Sequence, residues 1–251
     1  MKKIKRILAI GHDNSGSRII FEQLFRSFPG VKFSLVITEG LYYRKSFTGS
    51  VIKLLRESSL LFCAARAVDM VMHRVSGSTL DQFAVQQGIR PFHTSDINDA
   101  NSFGYVRSQF PDLIVSMYTM HIYKRPILEL PSYGAIAVHP SILPAYRGLE
   151  VFFWAMANNE NQIGVSAFTI DPKIDYGEVM NDAIMPLEPN QSMQSVYKTI
   201  TEKSAELLIK SISQLDNGVV TYRKPVGEGS YYGMPTREAV RRFRRLGKRF
   251  F

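Results

Sequence analysis

The sequence predicts an α/β fold, a doubly wound and mostly parallel sheet with a helical, basic C-terminal extension. Three observations carry this. Short runs rich in β-branched residues alternate with segments of helical periodicity through the first half of the chain. Two of those runs, LIVSM and GAIAV, are apolar almost throughout, as a buried strand is. The chain has 251 residues, of which 45% are hydrophobic and 21% charged, enough for one sizeable core.

In chain order, IKRILAIG reads as the first strand, followed by the turn HDNSGS and the helical pattern RIIFEQLFRSF. VKFSLVIT is the second strand by its β-branched content. Residues 50–87 carry helical periodicity in two pieces, with an N-cap region at Ser76–Thr79 before the second. IRPFHT is a short strand, NDANSFGYVRSQF a helix, PDLIVSMY a buried strand and RPILELP a single helical turn. GAIAV is a further strand and VFFWAMANNE a helix. IGVSAFTI and YGEVMNDAIMPL are extended, and residues 192–215 form a long helix. One domain is expected over residues 1–222, with residues 223–251 as an extension of little regularity.

Composition excludes several classes. The single cysteine, Cys63, permits no internal disulfide and reads as a small buried residue, and no Cys/His spacing suits zinc, so no metal is expected. The N-terminal apolar run is only four residues long, which does not read as a secretory signal. SSLLFCAARAVDMVMHRV is broken by Arg66, Asp69 and Arg74 and reads as an amphipathic helix instead of a membrane span. A cytoplasmic protein is expected. The net charge is +9, and residues 237–249 hold seven basic side chains against Glu238. Such a segment can meet nucleic acid, an anionic membrane or an acidic partner. A solvated helix face docked through Val240, Phe243 and Leu246 accounts for it better and is the expectation adopted.

The first turn lacks G-x-G-x-x-G, so no dinucleotide fingerprint is present. Asn14, Ser15, Gly16 and Ser17 nevertheless stand where a helix N-terminus can hold a phosphate or carboxylate. A plain turn capped by Ser15 or Ser17 explains them as well. A second polar focus lies further on. GAIAVHPSILPAYRG puts His139 at a strand exit, and IDPKIDYGEVM places Asp171 and Asp175 in a turn between strands. In an open α/β sheet ligands sit beyond the carboxyl ends of the strands, where a histidine and a carboxylate can serve as an acid/base pair.

The run AVHPSILPAYRGLEVFFWAMANNENQIGVSAFTIDPKIDYGEVM resembles the core of the folate-dependent formyltransferases, which share Asn-x-His-x-Ser-x-Leu-Pro-x-Tyr-Arg-Gly, then Trp-Ala, Gly-Val-Thr and Asp-x-Gly. The resemblance is close over residues 134–180 and looser from residue 111. It implies a Rossmann-like formyltransferase fold and transfer of a formyl group from 10-formyltetrahydrofolate to an amine. His139 matches the motif histidine, which stabilises the oxyanion, and Asp175 matches the aspartate, which relays the amine proton. By position Met120, Ile170 and Asp171 match the segments lining the folate pocket.

The chain departs from the pattern at Ala137, where the family carries asparagine. Alanine has no donor, and losing one oxyanion donor costs about 2.7–4 kcal/mol. Asn158, Asn159 or a hydroxyl are the replacements the sequence offers. The acceptor expected is a small amine, such as a nucleotide-linked amino sugar. The alternatives are a folate-binding relative with weak transfer, or an RNA-directed formyltransferase using its basic tail. For the last, the residues after 222 are expected to be too few for the separate β-barrel of methionyl-tRNA enzymes.

Overall fold

The structure, a computed structural model, describes residues 3–39, 56–172 and 174–251. Strands β1 (Arg6–His12), β2 (Lys32–Thr38), β3 (Phe92–Thr94), β4 (Leu113–Met117) and β5 (Ala135–His139) run parallel. After β5 the direction reverses: β7 (Gln162–Thr169) and β8 (Val179–Pro186) complete one seven-stranded sheet antiparallel to their neighbours, in the order β3-β2-β1-β4-β5-β7-β8. β4 and β5 are buried at every residue, because helices cover both faces of the parallel part. β8, at the edge, exposes Asp182 and Ile184.

On one face lie α1 (Ser15–Ser27), the long α7 (Met193–Asn217) and α6 (Val151–Ala157), around a core that includes Phe21, Phe153 and Leu208. On the other, α4 (Ala100–Ser108) and α5 (Arg125–Leu128) cover Leu8, Ile10, Ile114 and Tyr123. Side-chain caps set where helices begin. Asp99 accepts from Ser102 N and Ser192 from Ser195 N, while Thr79 and Gln82 form a reciprocal capping box at α3 (Leu80–Gln86). At α1 the cap is Asn14, not Ser15 or Ser17, because its carboxamide oxygen accepts from Ser17 N at 2.8 Å.

Helix α2 (Leu60–Val75) is the expected helix, with its faces set by tertiary structure. Only Phe62 and Ala65 are buried, and the apolar Val68, Val71, Met72 and Val75 face outward. Arg66, Asp69 and His73 on its polar stripe turn toward the strand ends instead. Cys63 is half-buried, not buried. Of the periodicity predicted from residue 50, residues 50–55 lie outside the described residues.

The extension carries the expected helix and adds a short strand, so it is not of little regularity. Tyr231–Tyr232 form β9, which pairs with β6 (Arg147–Gly148), and α8 (Arg237–Arg245) buries Ala239, Val240 and Phe243 against α6. Leu246 remains exposed, just beyond the helix end. Phe243 stacks between Phe153 and Phe250, and the Trp154 indole N–H donates to Gly233 O at 2.9 Å. Among the described residues no helix is long and apolar enough to cross a membrane.

Candidate functional site

From β1 the strand order runs outward to β2 and β3, then returns to β4 on the other side. The carboxyl ends of β1 and β4 therefore flank the point where the order reverses, and a crevice must open there. A cavity of about 630 Å³ occupies it, within the range of small-molecule sites. Its floor is Ser116, Ala137 and His139; Met120, Phe168 and Ile170 supply an apolar wall, and Asp171 and Asp175 border it. The expected folate-side residues Met120, Ile170 and Asp171 thus share this cavity with His139 and Asp175.

His139 is held from both sides. Its Nε2 lies 2.7 Å from Tyr146 O. A carbonyl only accepts, so Nε2 carries the proton and Nδ1 of the neutral ring keeps its lone pair. Nδ1 is 3.7 Å from Asp175 Oδ2, too far for a hydrogen bond but well placed for an ion pair once Nδ1 gains a proton. Asp175 Oδ2 also accepts from Gly148 N at 3.0 Å, tying the two motif loops together. Two glycines beside these loops permit close backbone approaches: a Cβ at Gly177 would overlap Thr169 O, and one at Gly148, with φ +102°, would overlap Tyr232 O.

Tyr118, Tyr146, Glu150 and Asp175 all have left-handed φ values of 49–54°. Such residues cost on the order of 1–3 kcal/mol each and cluster where surrounding structure imposes them for a purpose. Tyr146 is fixed by its hydroxyl donating to Glu160 at 2.6 Å and by stacking on Tyr232 of the extension. Burial, reinforced by the Glu160 carboxylate, pushes its phenol well above the ordinary tyrosine value.

Ala137 sits in register with Ser116 of β4, on the same face of the sheet. The two amides offered by the sequence lie elsewhere. Asn158 Nδ2 is shared between the hydroxyls of Tyr146 and Tyr232, and its Oδ1 accepts from Arg242. Neither Asn158 nor Asn159 lines the cavity.

At the opposite end the cavity reaches Asn14 and Ser15 and stops there. Gly16 is covered by the Tyr118 ring and the Tyr197 hydroxyl, and Ser17 is buried with its hydroxyl donating to Met117 O. The sequence reading missed the wall facing them. Arg66, Asp69, His73 and Arg74 of α2, spaced at helical intervals, all line the cavity. His73 lies 3.1 Å from Asp13, which also accepts from Leu80 N. Burial opposes ionisation of Asp13, yet these two partners hold its pKa below the ordinary value. Glu150 meets Arg66 at 3.4 Å through Oε1, while Oε2 has no partner among the described residues. Burial pushes its carboxyl up. The spacing of Arg66, Asp69, His73 and Arg74 was visible in the sequence, but not which way that stripe faces.

Comparison with known proteins bears on this arrangement. The formyl transferase family matches residues 66–212, more than half of the chain. The methionyl-tRNA formyltransferase of Agathobacter rectalis is 28% identical over 139 residues, covering 55% of this chain and 45% of that protein. The chain spans about half or less of the length of the curated relatives it matches. Among solved structures, glycinamide ribonucleotide transformylase 1 from Symbiobacterium toebii superposes with a TM-score of 0.62 at 14% identity, covering 89% of this chain and 95% of that one. An N-formyltransferase from Helicobacter canadensis, in complex with folinic acid and dTDP-3-aminofucose, gives 0.56 at 17% identity over 90% of this chain and 70% of that one. A match that runs through the His139 and Asp175 loops, on a shared fold, has one meaning: the chain belongs to the formyl transferase family.

Proposed function

We propose that this protein transfers the formyl group of 10-formyltetrahydrofolate to the amino group of a small acceptor, a nucleotide-linked amino sugar, in the cytoplasm. The observation that carries the reading is the His139–Asp175 pair on the floor of a folate-sized cavity at the carboxyl ends of parallel strands. The Helicobacter canadensis neighbour, with its folate and its amino-sugar nucleotide, supports the choice of donor and acceptor class.

The donor fits the residues present. Met120, Phe168 and Ile170 form an apolar slot for a pterin ring, and Asp171 lies at its rim. When bound, the donor supplies a formyl carbon open to attack. The acceptor nitrogen bonds to that carbon, the bond to the folate nitrogen breaks, and a proton passes from the first nitrogen to the second. His139 Nδ1 takes up the proton in transit; Asp175 and Tyr146 O then stabilise the imidazolium from either side. Asn14 and Ser15 contact the acceptor, facing the polar wall of α2. Residues 1–222 carry these groups, and residues 223–251 brace the loop that holds His139.

Incubation with 10-formyltetrahydrofolate and a panel of amines, including amino-sugar nucleotides, read by mass spectrometry, tests the proposal. A mass gain of one formyl group on an acceptor is the expected result. Absence of saturable binding of 5-formyltetrahydrofolate at millimolar concentration would refute it. Ala137 favours one second reading, a folate-binding relative with weak transfer, for which the signature is binding without turnover.

A further inference from the structure

The position left without an amide at Ala137 is adjoined by a hydroxyl. Ser116 and Ala137 are register partners in parallel strands, so their side chains leave the same face, about 4.8 Å apart. Both line the cavity beside His139. Ser116 accepts a hydrogen bond from the Tyr123 hydroxyl at 3.0 Å. Among the described residues it donates to nothing, so its own proton is uncommitted at a buried position on the cavity floor. Burial holds the Tyr123 phenol protonated far above its ordinary range, so that bond persists across working pH. A hydroxyl that accepts one hydrogen bond becomes a stronger donor in the next.

We propose that Ser116 is a catalytic residue of this enzyme, its Oγ–H donating to the formyl oxygen where the family's asparagine would, with Tyr123 as the positioning residue that orients and polarises it. This rests on the functional reading above and deepens it. As negative charge grows on the formyl oxygen, the Ser116 proton stays on Oγ and the hydrogen bond shortens; no bond to Ser116 forms or breaks. A donor that strengthens in the transition state acts on kcat more than on KM.

The test needs no knowledge of the acceptor, because water can replace the amine and formyl-folate hydrolysis can be followed. Ser116→Ala should lower kcat for hydrolysis and for any transfer about 100- to 1000-fold, leaving 5-formyltetrahydrofolate affinity nearly unchanged. Ser116→Cys, which keeps the volume but offers only a weak S–H donor, should fall in the same direction. Tyr123→Phe should cost about two- to tenfold, again in kcat. In an Ala137→Asn background the loss from Ser116→Ala should shrink to under about tenfold, since the amide then supplies the donor. Infrared spectra of bound 10-formyl-5,8-dideazafolate labelled with 13C in the formyl group add a readout independent of turnover. Ser116→Ala should move the carbonyl band to higher wavenumber.

Wild-type rates and an unshifted band in a folded Ser116→Ala variant would overturn the proposal. So would intact folate binding with neither hydrolysis nor transfer in the wild type, because a donor in place should sustain the chemistry. Loss of folate binding in the wild type would instead refute the functional reading itself, and this role with it.

Discussion

Replacing Phe243 by alanine tests how the C-terminal extension is joined to α6. Phe243 is fully buried and lies between two rings, 5.1 Å from Phe153 of α6 and 5.0 Å from Phe250. Removing a buried phenylalanine ring costs about 3–5 kcal/mol. The area route agrees: an aromatic ring burying about 150–200 Å² at about 25 cal/mol per Å² contributes roughly 4–5 kcal/mol. α8 buries only Ala239 and Val240 besides, and a nine-residue helix is not stable without packing. Phe243→Ala should therefore lower the melting temperature by about 6–20 °C, with accelerated hydrogen exchange confined first to α8. Release of α8 also frees Arg242 from Ala157 O and Asn158, loosening the Asn158–Tyr146 contact behind His139. A loss below about 1 kcal/mol in urea unfolding would refute the reasoning, because the ring could not then be anchoring the helix.

Three further outcomes are expected. Asp175→Asn keeps the shape but removes the charge facing His139 Nδ1, so formyl transfer should drop about 100- to 10,000-fold while calorimetry still detects folate binding; an unchanged rate would exclude the pair as the proton relay. Glu150→Gln should raise thermal stability at neutral pH, because burial lifts the folded carboxyl pKa and ionising it there is a cost. That cost sets in as pH rises from the ordinary value of 4.5 through the raised one, so the variant's advantage should vanish as melts are repeated toward and below pH 4.5. Charge reversal at Arg241, Arg244 and Arg245, all exposed, should alter stability by no more than about 0.5 kcal/mol; tight, salt-sensitive RNA binding lost in that variant would show that the basic face is an anchor.

What the sequence by itself determined is what short-range chemistry encodes. β-branched, apolar runs mark β1, β2 and β4 as strands, and Thr79 with Gln82 starts α3 through bonds spanning three residues. His139 and Asp175 were legible because each lies in a short local segment, a strand exit and a turn between strands, that also carries the formyltransferase pattern. Tertiary structure alone decided the rest. α2 shows the same pattern whether its polar stripe faces solvent or a cavity, and only the folded chain sets it against the cavity. Asn158 looked available until Tyr146, Tyr232 and Arg242 took up its amide. Ser116 and Ala137 are separated along the chain by a loop and a helical turn; strand register makes them neighbours. Register is set by the packing of whole elements against one core, so the hydroxyl beside the missing amide could not be read from either segment alone.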